Sequence, residues 1–502
     1  MSESGKLNIL KKSKTLIVVS ILLLINFLLR IFIWNNTELF RFSDYAAYLG
    51  GVEKLTKGES QYLLDGNFLF AISYIGYFVE RVFGSLDFFF VFNCLIATLT
   101  GLILYFLVVK VTGMTLAGII TIVIQTLYTE YMVFSSVFYT PVIMIFLLSL
   151  FLLLLYFYYN NPGRLLLIII SPGLITVFLL TFFFKPELKF LSWFLIVFSL
   201  FFVRINRLFF LRTIALAFLL LTTYFLLNTS ELITRPSGHV YSNSFVFFGH
   251  TDYGGDGGEG SFVYPANKAK YEKALAEYCK ANNITNPTVN DYNSFQRKEI
   301  KNFITHHPLK WVNLQFKKFF RTFGVVPETT SFKILYTGLF KGNLWLTSII
   351  IVAPVALIII LCIALFNFSS IKKLFNPSTF QPFNSSTLQC FNPSTPKQQS
   401  SVNGFLIIYF TLFIYYLIAT IFYGQYQERY RIPVMVIFIV PALGYFIATF
   451  NRQKFFNKRA IAIKGVIVLL FLVIWTFQAE RAITNKERFK NAIESISKST
   501  DR

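Results

Sequence analysis

Apolar runs of about 20 residues recur along the whole of this 502-residue chain, and that one feature decides what it can fold into. A helix of about 20 residues rises roughly 30 Å, the thickness of the hydrocarbon core of a bilayer. The runs fall at 15–34, 88–109, 114–134, 137–159, 165–184, 190–203, 213–229, 344–367, 404–423, 432–450 and 461–477, which makes eleven candidate spans. The run 190–203 is short for a full crossing, so it extends at one end or enters the membrane only partly. Composition agrees, because 55% hydrophobic against 14% charged residues leaves too little charge to cover soluble domains. The expectation is an all-α polytopic membrane protein of about eleven transmembrane helices.

Charge sets the expected orientation. Lys and Arg number 46 against 24 Asp and Glu, a formal net charge of +22. Much of the excess flanks apolar runs, where anionic headgroups sit, so it is not read as a nucleic-acid signal. Lys6, Lys11, Lys12 and Lys14 precede the first run. That run is long for a signal peptide and no small-x-small cleavage site follows it, so it reads as a first span with a cytoplasmic N-terminus. Arg30 falls near the outer end of this span, where its side chain is expected to snorkel to the headgroups. Lys110, Arg164, Arg204, Arg207, Arg212, Lys372, Lys373, Arg452, Lys454, Lys458 and Arg459 then lie in alternate segments, as the positive-inside rule requires. Eleven spans put the C-terminal tail outside. The four Cys are scattered and show neither metal-ligand spacing nor a disulfide framework.

The organisation follows from the spans: an N-terminal membrane module 1–229 with a first outer loop 35–87, an extracytoplasmic domain 230–343, a C-terminal membrane module 344–477 and a tail 478–502. In the first outer loop the apolar stretch 68–83 reads as a helix lying in the interface, or else a short buried hairpin. In the outer domain the run from Gly254 to Gly260 reads as a turn, followed by helical periodicity over 267–281 and 295–323. The cytoplasmic insertion 368–403 repeats with a period of 8 (Phe375-Asn376-Pro377, Phe383-Asn384-Ser385, Phe391-Asn392-Pro393), and so polar a mixture reads as disordered.

Few charged side chains are placed for chemistry. Asp44 lies about ten residues beyond the first span; it is either a solvated or helix-capping residue, or a carboxylate at the outer mouth that draws a proton from a hydroxyl. Glu130 stands in an apolar stretch, where a carboxylate is expensive unless it reaches headgroup water, meets a cation or faces the bundle interior. Lys185 and Glu187 flank Pro186 on the same expected side. Glu428, Arg429 and Arg431 form the densest charged cluster, and two Arg one residue apart suit a phosphate, lipid headgroups included. His306-His307 read as a helix-terminal or loop feature without a clear third metal ligand. Asn228-Thr229-Ser230 and Asn283-Ile284-Thr285 match the glycosylation acceptor pattern, which is short enough to arise by chance.

Phe42-Ser43-Asp44-Tyr45-Ala46-Ala47-Tyr48, Glu428-Arg429-Tyr430-Arg431-Ile432-Pro433-Val434 and His307-Pro308-Leu309-Lys310, running on to Lys317-Lys318, resemble in order and spacing the polytopic glycosyltransferases of the GT-C fold. They look like bacterial relatives of protein O-mannosyltransferases and of lipid A aminoarabinose transferases. The resemblance covers nearly the whole chain apart from 368–403. It implies a bacterial inner-membrane enzyme, with its active site outside, that takes a sugar from a polyprenyl-phosphate donor and gives it to a lipid, protein or glycan acceptor. On that resemblance Asp44 is the general base, Arg429, Arg431 and Lys185 meet the donor phosphate, and Glu428 and Tyr430 support them. No cofactor is clearly implied; a divalent metal is left open, though no ligand set for one is evident. Many relatives carry an acidic pair near the start of the fourth span, where this chain reads Tyr139-Thr140-Pro141-Val142. Glu130, about ten residues earlier, is the expected substitute as a second catalytic acid. The rival readings are a transporter or flippase, disfavoured by the large outer domain and the lack of matching halves, and a non-catalytic glycan-assembly protein.

Overall fold

A computed structural model describes residues 3–37, 44–59, 70–160, 164–184, 191–200, 207–229, 241–254, 265–324, 330–365, 396–422, 428–450 and 458–484. Among them there are helices, turns and no strands. In chain order they are α1 (Glu3–Asn35), α2 (Asp44–Thr56), α3 (Phe70–Phe83), α4 (Asp87–Thr112), α5 (Thr115–Leu127), α6 (Thr129–Val133) and α7 (Pro141–Asn160). Then come α8 (Arg164–Phe184), α9 (Leu191–Leu200), α10 (Arg207–Thr229), α11 (Tyr241–His250), α12 (Pro265–Ala281), α13 (Val289–His306) and α14 (Pro308–Thr322). The last are α15 (Thr330–Thr337), α16 (Leu344–Leu365), α17 (Pro396–Phe422), α18 (Glu428–Pro433), α19 (Val440–Ala448) and α20 (Lys458–Thr484).

Among the described residues six helices are long and apolar enough to cross a membrane: Ser13–Asn35 within α1, α4, α7, α16, Phe405–Phe422 within α17, and Tyr430–Ala448. The bent pair Thr115–Leu127 and Thr129–Ser136 makes a seventh candidate. Shorter apolar stretches, Ile169–Thr181, Phe210–Leu226 and Ile461–Phe477, lie in α8, α10 and α20. Each expected run thus overlaps a described helix, but residues 137–140 of the fourth run are not helical and the sixth run is matched only by the ten-residue Leu191–Leu200. The insertion is the exception at one edge, because the helix leading into the ninth run starts at Pro396 rather than near 404. The rest of the insertion, the glycine-rich segment 255–260 and the tail beyond 484 lie outside the described residues.

The bundle packs by close approach where residues are small. A Cβ on Gly444 of α19 would meet the Ala117 carbonyl of α5 at 2.8 Å and collide with the Thr121 hydroxyl. Small residues let two apolar helices approach without a hydrophobic force between them. The first loop is seated in the same way. α2 and α3 form a helical pair in which Ile72 and Ser73 are buried, Ser73 Oγ donates to the Tyr48 carbonyl at 2.9 Å, and Gly76 meets Val52 and Phe138. The stretch 68–83 therefore contributes a helix packed on α2, with Phe78, Val82 and Phe83 exposed along its other side.

Arg212 and Lys464 mark one end of the bundle. Arg212 Nη1 donates to the Tyr159 carbonyl at 2.9 Å and Lys464 Nζ to the Ala364 carbonyl at 2.6 Å, so each cation sits on the last turn of a helix, where unpaired carbonyls collect negative charge. The helices α11–α14 sit at the other end, here called the mouth. They have a small core of their own, with Phe247 and Tyr253 stacked 5.2 Å apart and Tyr271 and Ile300 packed against them. Two features correct the expected 295–323 helix. α13 starts earlier, at Val289, with the Thr288 N–H donating to Asp291 Oδ2 at 2.8 Å; Pro308 then opens a separate helix, since proline is suited to a first turn and not to an interior. His306 and His307 occupy that junction, as expected. α15 belongs with the bundle, as Phe332, Ile334 and Leu335 are buried in the main core.

Replacing Gly444 by Ala is expected to lower the unfolding free energy by about 1–3 kcal/mol, through overpacking against α5. Gly465, with nothing within 4 Å of its Cβ position, is the control and is expected to tolerate Ala. The midpoints of denaturant unfolding in detergent or lipid check both.

Candidate functional site

The third candidate span is broken beneath the mouth. α5 ends at Leu127, and the chain turns by 67° into α6 and a 3-10 turn at Phe134–Ser136. Residues 137–140 then run without helix until Pro141 opens α7, all of them buried. Irregular backbone at membrane depth persists only inside protein and with its polar groups satisfied.

Arg30 supplies the donors. Its Nη1 donates to the Tyr131 carbonyl at 2.9 Å and to Ser135 Oγ at 2.5 Å, its Nε donates to Asn26 Oδ1 at 2.9 Å, and the guanidinium lies 4.5 Å from the centre of the Tyr131 ring. Asn26, one turn earlier on the same face of α1, donates in turn to Thr126 Oγ1 at 2.7 Å. The expected snorkelling is overturned: Arg30 is fully buried, because the broken helix offers it acceptors that the lipid interface would otherwise have to supply.

The break puts Glu130 on Arg431. Both are buried, 0% and 1% exposed. Arg431 Nε donates to Glu130 Oε2 at 3.0 Å and Nη2 donates to Oε1, a two-point pairing of guanidinium with carboxylate. The Tyr128 hydroxyl donates to Oε2 at 2.7 Å. Arg431 Nη1 donates to the Gly324 carbonyl at 2.6 Å, just past the end of α14, and Trp475 Nε1 donates to the neighbouring Phe323 carbonyl at 3.2 Å. The open C-terminal carbonyls of α14 are thus met by a cation and an indole. Either charge alone at membrane depth costs about 3 kcal/mol on insertion scales, and removing one partner of a buried pair costs about 3–5 kcal/mol. The pairing is therefore obligatory for both residues.

Arg431 is delivered by an irregular helix. α18 continues into a π-helical turn, Val434–Ile439, before α19. Pro441 has no N–H to give to the carbonyl four residues back, and the Tyr409 hydroxyl fills that gap at 2.7 Å from the Ile437 oxygen.

A second polar cluster joins the mouth helices to the end of α17. His250 Nε2 donates to the Phe422 carbonyl (2.7 Å) while Trp311 Nε1 donates to His250 Nδ1 (3.0 Å), which fixes the neutral tautomer with its proton on Nε2. Lys318 Nζ donates to the Gly249 carbonyl at 2.9 Å, and Gln315 Nε2 approaches the same oxygen at 3.3 Å. Burial pushes the Lys318 ammonium down to about 7. Burial, then the charge of Lys318, push His250 down to about 4, against the pull of the Phe422 carbonyl.

The expected site residues divide. Glu130 and Arg431 are brought together, 301 positions apart, though as a pair rather than as two groups open to a substrate. Glu130 meets neither headgroup water nor solvent. Asp44 opens α2, whose Tyr45 and Tyr48 are buried against Tyr139, with ring centroids 4.9 and 5.3 Å apart. The Asp44, Glu428 and Arg429 side chains, and Lys185, Pro186 and Glu187 altogether, lie outside the described residues. The Tyr430 carbonyl lies 3.5 Å from Thr420 Oγ1. Among the described residues no group of three His, Cys, Asp or Glu side chains is arranged to hold a metal ion. Sequence reading gave no role to Tyr128, His250 or Trp311, and placed Lys318 only within the stretch running on from His307. The proline at 308, which separates α13 from α14, was the available signal for the helix that carries Trp311 and Lys318.

Fold and site together define an all-α, multi-pass membrane protein with a buried ion pair beneath a cap of short helices. No protein-family model matches the chain, and no curated protein matches it significantly.

The two depressed groups make the cap pH-sensitive. Between about pH 4 and 6.5 the unfolded chain binds a proton at His250 that the fold refuses, and between about 7 and 10.4 the same holds at Lys318. Stability is expected to rise with pH across both windows. Lys318→Met should chiefly flatten the upper rise and His250→Gln the lower, as read by unfolding midpoints from pH 4 to 10.

Proposed function

We propose that the chain is a GT-C-type glycosyltransferase of eleven spans, whose mouth faces the outside of a bacterial inner membrane. It would transfer a sugar from a polyprenyl phosphate to an acceptor hydroxyl. The observation that carries this reading is the seating of α2. Tyr45 and Tyr48 are locked on Tyr139, two residues before α7 begins, so the helix that opens with Asp44 is fastened to the bundle mouth rather than left as a free loop. The motif containing Asp44 and the motif containing Arg431 thereby belong to one end of one bundle.

The reaction in this reading is a single displacement. The acceptor oxygen forms its bond to the anomeric carbon as the bond from that carbon to the phosphate oxygen breaks, with inversion. The acceptor proton passes to the Asp44 carboxylate, and the polyprenyl phosphate leaves with the bonding pair. Cations stabilise the charge that develops on the leaving phosphate. Arg431 reaches that phosphate only by giving up Glu130, so Arg429 and Lys185 are the better candidates for direct contact. Glu130 and Arg431 then act as a positioning pair.

One observation favours a second reading. A span broken by 67° next to a buried ion pair, facing a span with a π-turn, resembles the discontinuous helices of transporters, and a flippase for lipid-linked sugars would use the same mouth.

Purified protein in lipid, given polyprenyl-phosphate sugars and a panel of acceptors, is expected to transfer sugar. Asp44→Asn should lose roughly 10²–10⁴-fold in rate while still binding the donor lipid. Equal rates for the two proteins would remove Asp44 as the base. Movement of sugar-lipid across the bilayer without transfer would favour the flippase.

A further inference from the structure

α14 carries an apolar stripe that nothing among the described residues covers. Leu309, Val312 and Phe316, spaced three and four residues apart, are 83%, 39% and 58% exposed. The opposite side, with Leu314, Lys318 and Thr322, is buried. At 3.6 residues per turn, Lys310, Lys317 and Arg321 line up along one flank of the stripe. The helix thus has three faces: one packed, one apolar and open, one basic.

Its level is fixed by what it touches. Near the start, Trp311 reaches through His250 to the Phe422 carbonyl, the last residue of the apolar helix Phe405–Phe422. At the end, Gly324 and Phe323 accept from Arg431, at the entry of the span Tyr430–Ala448, and from Trp475, while Phe320 packs on Phe471 at 6.1 Å. α14 therefore runs across the ends of three apolar helices, where hydrocarbon gives way to headgroups. Trp345, 81% exposed at the start of the span Leu344–Leu365, marks the same kind of boundary on another helix.

We propose that α14 is an in-plane docking helix for an anionic membrane surface. Leu309, Val312 and Phe316 enter the boundary between acyl chains and headgroups, and Lys310, Lys317 and Arg321 face lipid phosphates. This is the geometry by which amphipathic helices bind membranes, with basic side chains drawing in anionic lipid. Because α14 also receives Arg431 at its end, the lipid surface holds the cap at a set height over the Glu130–Arg431 pair. The inference rests on the membrane location of the chain and is independent of sugar transfer.

The test uses the unmodified full chain in nanodiscs containing photoreactive analogues of phosphatidylglycerol or phosphatidylcholine, with the crosslink near the headgroup, read by mass spectrometry. Crosslinks are expected at Leu309, Val312 and Phe316, with phosphatidylglycerol at least about threefold ahead at equal mole fraction. A parallel water-soluble carbene reagent should spare these three positions. Their labelling by that reagent, with no lipid crosslinks, would overturn the proposal. So would crosslinks between two copies of the chain at this stripe, and equal labelling by the two lipids would overturn the anionic preference.

Discussion

A carboxylate and a guanidinium that cannot reach water must find each other, and the pairing of Glu130 with Arg431 ties the molecule together. The two come from opposite halves of the chain. With the Gly324 carbonyl as third partner, the contact joins the broken third span, the irregular helix near the C-terminus and the end of the cap. The cap cannot shift without stripping an acceptor from a buried cation. The break in the third span cannot straighten without withdrawing Glu130 from its partner.

Three departures from regular helix have a matching donor. Arg30 serves Tyr131 and Ser135 at the break, Tyr409 serves the carbonyl that Pro441 leaves open, and Arg431 with Trp475 serves the end of α14. In a bilayer no water stands in for these partners, so the irregular segments are held as firmly as their donors. The irregularities gather around Glu130 and Arg431, which is why the pair marks the candidate site. Glycosyl transfer, as proposed, would use α2 and its Asp44 at the rim, with the pair setting the shape of the mouth.

The helices were legible because the signal is local: twenty apolar residues in a row leave little choice. The interruption at Pro308 was legible in principle too, since a proline inside a periodic stretch ends a helix. The fate of the charges was not. The sequence reading put Arg30 at the lipid interface, a sound rule for a lone Arg near a helix end, but beyond Asn26 its acceptors, Tyr131 and Ser135, lie more than 100 positions away, at a break that local propensity does not reveal. The requirement that Glu130 meet a cation or the interior was readable; that the cation is Arg431, drawn from a cluster expected to greet phosphate, depends on long-range packing. The burial of His250 and Lys318 was not legible either, although Lys318 closed a quoted motif, as it arises only once α11 and α14 are docked.

The most direct measurement is a double-mutant cycle on the full chain in lipid, with Glu130→Gln, Arg431→Met and the two combined, followed by denaturant unfolding. The account predicts a loss of about 3–5 kcal/mol for each single change and a double variant less destabilised than the sum of the two by at least about 2 kcal/mol, since the second change removes an orphaned charge. Additive losses, or single variants as stable as the parent, would contradict it.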